Sequence, residues 1–284
     1  MALTRRRFLI AAGGGATAAA AGGAFYERRR IEDALDPPHG RVPGGPTGPR
    51  RTGTFLSRAR RRTVRWEVAW PPGSQPGDQL PVALVLHGRG DDSRSAFTSQ
   101  GLQHFLGAAV RAGTPPFALA AIDGGDHTFW HARADGDDPQ TMLTAEFLPL
   151  LARMGLRTDR FGMTGWSMGG YGALLIATRL PGRVVAVATD AAALWQQFAA
   201  TAQGAFDSQA DFARNDIFAR TDRLSAIALR LSCGRSDPFV GANRALLAAL
   251  PSAQHAFPRG GHTVGCWNTM RPADMTFLGR HLAG

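Results

Sequence analysis

The stretch FGMTGWSMGGYG, residues 161–172, decides the fold. Its first residues continue a short apolar run that predicts a strand over residues 160–164, and the apolar run after it predicts a helix over residues 168–179. The turn between them, GWSMG (residues 165–169), places a glycine two residues before and two residues after a serine. Glycine at both flanks avoids Cβ clashes in a tight turn. The stretch therefore predicts a strand–turn–helix unit with Ser167 at its apex.

After residue 62 the chain alternates between short apolar runs and helical patterns. Short apolar runs are what buried parallel strands require. The alternation predicts an α/β fold with a doubly wound, mostly parallel sheet, whose ligand sites lie beyond the carboxyl ends of its strands. We predict one domain over residues 63–284, with a small cap near residues 194–223. The predicted strands are 63–70, 82–86, 117–122, 160–164, 184–189, 227–232 and 254–257, and the predicted helices are 99–112, 141–154, 168–179, 242–249 and 272–281.

Ser167 stands where a nucleophile would, on a strained turn directly before a helix whose first amides face any charge that develops there. A nucleophilic serine needs a base, which follows it along the chain in this class of fold. His262 lies in a glycine-rich loop between the last predicted strand and the last predicted helix. His255 lies within that strand, and His281 ends that helix. We therefore predict that His262 is the base.

An acid is needed to orient that base. Asp237 directly follows a predicted strand, in CGRSDP, and so lies on a loop at the same sheet edge as Ser167. Asp190 also ends a predicted strand and is the main competitor, but it comes one strand too early for the usual order. The sequence favours Asp237.

Two backbone amides are expected to stabilise an oxyanion beside the serine. One belongs to Met168, which follows Ser167, and the other should come from the loop after an earlier strand. That loop reads HGRGD from His87, and by position Arg89 supplies the second amide. His87 is expected to be a hydrogen-bonded structural residue.

Residues 63–284 resemble an α/β-hydrolase of the “Putative esterase” family, which includes esterase D (S-formylglutathione hydrolase), feruloyl esterases and secreted mycolyltransferases of actinobacteria. The resemblance is carried by segments in the family's order: LVLHGRGDD, AAIDGGDHTFWH, GWSMGGYGALLIA, LSCGRSDPF and GGHTVGCWNTM.

The resemblance implies a serine esterase that works through an acyl-enzyme and needs no cofactor. It implies Ser167, Asp237 and His262 as the triad, with the amides of Arg89 and Met168 as oxyanion donors. The alternative is a mycolyltransferase-like enzyme that passes the acyl group to a sugar hydroxyl. Mycolyltransferases usually carry Glu as the acid, and this chain shows no long apolar tract for a mycolyl chain, so hydrolysis of a small-molecule or glycan-linked ester is favoured.

Aromatic residues near predicted strand ends are candidates for substrate binding. We predict that Trp130 and His131 line the acyl pocket, and that Trp166 and Trp195 wall the cleft. A metal site of His127 and His131 with Asp126 is the alternative for that loop; the segment follows a strand and contains Gly-Gly, so helical ligand spacing is not expected and no metal is predicted.

The net charge of +10 lies entirely in the N-terminal part. Residues 1–65 contain 14 arginines and four acids, and the remainder contains 18 of each. A nucleic-acid-binding domain needs its own basic face, so nucleic acid is not an expected partner.

Residues 1–26 are predicted to be an export signal. TRRRFL, residues 4–9, resembles the twin-arginine signal, and an Ala/Gly-rich apolar run follows it. This implies the twin-arginine translocase as a partner and an extracellular, periplasmic or envelope location. An uncleaved single-pass membrane anchor is the alternative, and the segment is also a candidate for transient association with the membrane or envelope. Residues 27–62, rich in Pro, Gly and Arg, are predicted to be a solvated linker.

Cys233 and Cys266 are the two cysteines of the chain. They flank the predicted acid and base loops, and an exported protein tolerates a disulfide there. Free, buried thiols are the alternative that the sequence leaves open.

Overall fold

The computed structural model describes residues 40–284, so the predicted signal and the first part of the predicted linker lie outside the described residues. Within these residues, eight strands form one sheet in the order β1-β2-β4-β3-β5-β6-β7-β8. The strands are β1 (Arg50–Ser57), β2 (Arg62–Ala69), β3 (Pro81–Leu86), β4 (Ala118–Ile122), β5 (Arg157–Trp166), β6 (Val184–Asp190), β7 (Ala228–Ser232) and β8 (Gln254–Ala256).

Helices connect the strands and cover both faces of the sheet. The α-helices of the described residues are α1 (Leu102–Arg111), α2 (Pro139–Thr141), α3 (Leu148–Arg153), α4 (Met168–Arg179), α5 (Gln209–Arg214), α6 (Thr221–Leu224), α7 (Val240–Ala248), α8 (Val264–Asn268) and α9 (Arg271–Leu282). A π-helical stretch (Met142–Phe147) joins α2 to α3, and short 3₁₀ helices lie at Ser93–Ala96, Phe198–Ala200 and Phe218–Arg220.

The strands from β4 to β8 across the sheet run parallel, and β2 is antiparallel to both of its neighbours. Every residue of β3 and β4 is buried, as expected of strands covered on both faces. Apolar residues fill two cores, one beneath α1 and α9 and one beneath α4 and the helices that precede β5. The predicted doubly wound, mostly parallel α/β sheet is confirmed.

The predicted solvated linker over residues 27–62 is wrong for its described part. Residues 50–57 form β1, which pairs with β2 over its whole length, and the turn after it is anchored by Arg60, whose buried guanidinium binds both carboxylate oxygens of Asp137 at 2.7 and 2.8 Å. The domain therefore begins before residue 63. The strand gave no apolar signal because it lies at the sheet edge with most of its side chains exposed.

The chain just before β1 also packs on the domain. The Arg111 guanidinium donates to the carbonyl oxygens of Pro46 and Gly44 at 2.7 and 2.9 Å. The amide of Gly40 donates to the carbonyl of Gly265 at 3.1 Å. None of the helices in residues 40–284 combines the length and apolarity needed to cross a bilayer.

The predicted cap region, residues 194–223, consists of short helices and loops packed beside α4. Tyr171 of α4 donates its hydroxyl to the carbonyl of Asn215 at 2.7 Å, and its ring meets that of Phe206 edge-on at 5.9 Å between centroids. This region therefore lies against the helix that follows Ser167.

Candidate active site

Ser167 lies on a strained turn between β5 and α4. Its backbone has φ 54° and ψ −119°, a conformation that residues with a side chain rarely adopt. A Cβ at Gly169 would overlap the carbonyl oxygen of Leu86, and one at Gly165 would lie 2.6 Å from the carbonyl carbon of Gly169. Both flanking positions therefore require glycine, because the start of α4 packs directly against the end of β3.

Hydrogen bonds hold the Ser167 backbone on both sides. Its amide donates to the carbonyl of Asp190 at 2.9 Å, and its carbonyl accepts the amides of Ala193 at 3.0 Å and Tyr171 at 3.1 Å. The strain is thus held by β6, by the loop after it and by the first turn of α4. Such conformations persist where the surroundings over-determine them, and they cluster at active sites.

Asp237 and His262 form a direct pair. His262 Nδ1 lies 2.8 Å from Asp237 Oδ2, and the carboxylate's other oxygen accepts the amide of Phe239 at 2.9 Å. The Asp237 side chain is fully buried, and that of His262 is 29% exposed. With Nδ1–H donating to the carboxylate, the other ring nitrogen, Nε2, is left to accept a proton.

The loops that carry the pair are joined through their backbones. The amides of Cys233, Arg235 and Ser236 on the acid loop donate to the carbonyls of Ala256, Pro258 and Gly260 on the base loop, at 2.8–3.0 Å. These bonds continue the parallel pairing of β7 with β8. The adjacent strand ends thus bring Asp237 and His262 together from positions 25 residues apart.

Asp190, the competing acid, faces a different partner. Its Oδ2 lies 3.4 Å from Nε of Arg271, and burial raises the pKa of its carboxyl to about 6. Burial also raises the pKa of Asp274, and the nearby charge of Asp190 raises it further. Asp274 accepts a hydrogen bond from Arg230 at 2.7 Å. Asp190 therefore belongs to a buried ionic cluster between the sheet and α9.

The two predicted oxyanion donors come from the turns after β3 and β5. Within residues 40–284, the amides of Arg89 and Met168 make no hydrogen bond to another backbone group. Residues 88–91 form a β-turn in which the carbonyl of Gly88 accepts a hydrogen bond from the amide of Asp91 at 3.2 Å. Gly90, at the third position, has a φ of 76°, a positive value typical of the third residue of a type II turn. Arg89, at the second position, therefore has an amide with no backbone hydrogen bond in the described part of the chain.

His87 is a buried structural residue, as the sequence predicts. The amide of Gly124 donates to its Nε2 at 2.9 Å, so Nδ1 carries the proton and donates to the carbonyl of Gly88 at 2.8 Å. Burial lowers the pKa of His87, which keeps the ring neutral. The ring thus fixes the Gly88–Arg89 peptide.

The predicted roles of Trp130, His131 and Trp166 in lining the pocket are wrong. Trp130 and His131 are 0% exposed. Trp130 fills the space left by Gly124 and Gly172 and donates to the carbonyl of His87 at 3.2 Å. Trp166, 2% exposed, donates to Asp91 instead of facing the cleft. Aromatic residues at strand ends indicated a pocket, but here they fill the core beneath it.

Trp195 keeps an exposed part, and the structure adds Phe239 beside it. The two rings meet edge-on at 5.5 Å between centroids, and Phe239 lies 5.4 Å from the ring of His262. Trp195 comes two residues after Ala193, which donates to Ser167. Phe239 was missed by the sequence analysis, although its place two residues after Asp237 was a usable signal.

The loop that suggested a metal site separates its candidate ligands. His127 pairs with Asp126 at 2.7 Å on the surface, while His131 is buried with its Nδ1 3.9 Å from Asp211. Phe129 and Trp130, between the two histidines, have positive φ values, so the segment is not helical. Among residues 40–284 no cluster of three or more His, Cys, Asp or Glu side chains is placed to hold a metal ion.

Cys233 and Cys266 are buried thiols with no disulfide between them, and Cys266 Sγ donates to the carbonyl of Arg259 at 3.5 Å. They lie close together, since a Cβ on Gly234 would lie 3.0 Å from Cys266 Sγ. Burial raises the pKa of the Cys233 thiol, which keeps it protonated. Of the two alternatives, the structure holds the pair as thiols.

Comparison with known proteins identifies a family. The family described as “Putative esterase” matches residues 57–269, three-quarters of the chain. No curated protein matches the sequence.

Solved structures share the fold at low sequence identity. A ferulic acid esterase superposes with a TM-score of 0.71 at 20% identity, covering 82% of this chain and 98% of its own. The serine hydrolase FphF of Staphylococcus aureus superposes with a TM-score of 0.68 at 15% identity, covering 82% of this chain and 99% of its own. An S-formylglutathione hydrolase from Agrobacterium tumefaciens superposes with a TM-score of 0.68 at 14% identity, covering 84% of this chain and 97% of its own. These likenesses establish the fold.

Proposed function

The chain belongs to the “Putative esterase” family, and from that premise we propose that it is an exported serine esterase that hydrolyses a carboxylic ester through an acyl-enzyme on Ser167. The single observation that carries the mechanism is the 2.8 Å contact between His262 Nδ1 and the buried carboxylate of Asp237, on loops at the same sheet edge as the strained Ser167. This arrangement supports Ser167 as the nucleophile, His262 as the base and Asp237 as the orienting acid.

The first half-reaction forms the acyl-enzyme. Ser167 Oγ attacks the ester carbonyl carbon while His262 Nε2 takes its proton, and the carbonyl oxygen becomes an oxyanion that the amides of Arg89 and Met168 stabilise. The C–O bond to the alcohol then breaks, and His262 returns the proton to the departing alcohol. Asp237 stabilises the imidazolium in between and keeps the tautomer correct.

The second half-reaction uses water. A water molecule gives its proton to His262 Nε2 and attacks the acyl carbon, and the carboxylic acid leaves as Ser167 recovers its proton. A sugar hydroxyl in place of the water would give the acyl transfer that is the alternative outcome of the test below.

The acyl group is proposed to lie along Trp195 and Phe239. Both side chains are half-buried, and they form an apolar wall between the loop bonded to Ser167 and the ring of His262. Apolar lining with a few convergent polar groups is the usual composition of a small-molecule site. An apolar acyl chain or ring fits this wall better than a charged one.

Export is proposed from the sequence of residues 1–26. The segment pairs TRRRFL with an Ala/Gly-rich apolar run, which supports passage through the twin-arginine translocase. An extracellular, periplasmic or envelope-associated enzyme meets small-molecule or glycan-linked esters there. Comparing the location of the native chain with that of an Arg5→Lys, Arg6→Lys variant tests this part of the proposal.

Pre-steady-state kinetics test the mechanism. An acyl-enzyme that forms faster than it is hydrolysed predicts a burst of p-nitrophenol from p-nitrophenyl acetate, equal to the enzyme concentration, and none from Ser167→Ala. Product analysis with a sugar present distinguishes hydrolysis from transfer. A folded Ser167→Ala protein with the wild-type burst would contradict the proposal.

A further inference from the structure

A hydrogen bond links the residue before Ser167 to the turn that carries the other oxyanion donor. The indole Nε1–H of Trp166 donates to Asp91 Oδ2 at 2.8 Å, and Asp91 Oδ1 accepts the hydroxyl of Ser95 at 2.9 Å. Both oxygens of this carboxylate are therefore engaged. A hydrogen bond from a neutral donor to a charged carboxylate is among the stronger ones in proteins.

The same indole also packs against the other end of that turn. A Cβ at Gly88 would lie 2.7 Å from Trp166 Nε1 and 2.8 Å from its Cδ1, so the ring lies directly against the Gly88 backbone. Trp166 thus contacts the turn at its first residue, Gly88, and at its last, Asp91. Arg89, whose amide is the predicted donor, lies between these two contacts.

Trp166 is equally fixed relative to the second donor. It is the last residue of β5, and its neighbour Ser167 is held by backbone hydrogen bonds on both sides. The Met168 amide, two residues along, therefore has a defined position relative to the indole. One side chain spans the two halves of the oxyanion site.

We propose that Trp166 and Asp91 are positioning residues that set the separation of the Arg89 and Met168 amides, and so the stabilisation of the oxyanion. Neither side chain touches the substrate. The inference rests on the proposed function, since it concerns the same acyl-transfer site. A shift of a donor by a fraction of an ångström weakens a hydrogen bond to the transition state more than it weakens substrate binding.

Substitutions that remove only the hydrogen bond test this. Loss of a whole oxyanion donor costs about 10²–10³ in kcat, so loss of its alignment is expected to cost about tenfold or more. We expect that drop for Trp166→Phe and for Asp91→Ala with p-nitrophenyl acetate, with KM within about threefold of wild type. Asp91→Asn keeps an oxygen that accepts the indole N–H and is expected to retain kcat within about threefold.

A transition-state analogue supplies a readout that general destabilisation does not move. A methyl trifluoromethyl ketone adds to Ser167 as a tetrahedral oxyanion, so its Ki should rise in Trp166→Phe and Asp91→Ala by the same factor as kcat/KM falls. Trp70→Phe is the matched control, because the buried Nε1 of Trp70 has no hydrogen-bond partner among the described residues. Its kcat is expected to stay at the wild-type value.

Three results would overturn the proposal. The first is a kcat within threefold of wild type in both Trp166→Phe and Asp91→Ala, and the second is a raised KM in these variants with kcat and Ki unchanged. The third is an Asp91→Asn protein that melts like wild type yet is as slow as Asp91→Ala. If Trp166→Phe does not fold, the kinetics of Asp91→Ala alone test the proposal, because the side chain of Asp91 is half-exposed and its removal leaves no large cavity. All variants retain Ser167, so failure of the acyl-enzyme proposal shows separately, as a folded Ser167→Ala protein that keeps the wild-type burst.

Discussion

His262 Nδ1 lies 2.8 Å from Oδ2 of Asp237, a carboxylate with no exposed surface. A buried carboxylate that accepts this N–H holds the imidazole in one tautomer and stabilises it when it gains a proton. Three backbone hydrogen bonds between the two loops maintain the contact.

Asp237→Asn is expected to lower kcat about 10⁴-fold, because an amide that donates to Nδ1 favours the wrong tautomer. Asp190→Asn is the matched comparison, since Asp190 also ends a strand at this edge but faces Arg271. The fall in kcat for Asp190→Asn is expected to stay below about tenfold, because the Asp190 side chain has no role in the chemistry. Steady-state kinetics on both folded variants check this, and equal losses would show that the acid is misassigned.

Trp195→Ala is expected to change acyl selectivity. Removing the ring takes away apolar contact with a longer acyl chain, which is worth about 1–3 kcal/mol, or roughly tenfold or more in kcat/KM. p-Nitrophenyl hexanoate should therefore lose at least tenfold, while p-nitrophenyl acetate stays within about threefold. The ratio of the two substrates is the internal control, and an unchanged ratio would remove Trp195 from the acyl site.

Stability should fall as the pH rises from about 4 to about 6. Burial raises the folded-state pKa of Asp190 from 3.8 to about 6 and raises that of Asp274 as well, so in this range the folded chain binds more protons than the unfolded chain. The free energy of unfolding is then lowered by up to about 1.4 kcal/mol per pH unit for each such group. Above the folded-state pKa values of these carboxyls, the free energy of unfolding falls no further from this cause.

Asp274→Asn isolates this contribution. The difference in unfolding free energy between the variant and wild type should move in the variant's favour as the pH rises through this window, measured by urea denaturation at pH 4, 5, 6 and 7. A difference that is constant with pH would mean that Asp274 titrates normally in the folded state.

The reach of sequence reasoning differs between parts of the site. The order of strands and helices around GWSMG was enough to predict the sheet, the strained turn at Ser167 and the meeting of the Asp237 and His262 loops, because chain order and strand ends determine which loops meet. Burial was not predictable in the same way: Trp130 and His131 follow a strand, as a lining residue would, but close packing against Gly124 and Gly172 places Trp130 in the core.

Edge elements and long-range side-chain contacts were also beyond the sequence. Strand β1 reads as a linker because its exposed residues carry no apolar alternation. The hydrogen bond between Asp91 and Trp166 could not be predicted from their spacing, because the two residues lie 75 positions apart in the sequence. Such contacts depend on how β3 and β5 lie side by side, which only the assembled sheet defines.

The most direct test of Ser167 as the nucleophile is to identify the residue that reacts with an active-site reagent. The protein is treated with a fluorophosphonate, which modifies an activated serine, and then digested and analysed by mass spectrometry. We predict one modified site, Ser167, together with loss of esterase activity in proportion to labelling and slower labelling in Asp237→Asn. Complete inactivation with the label on another residue, or full esterase activity with Ser167 modified, would contradict this prediction.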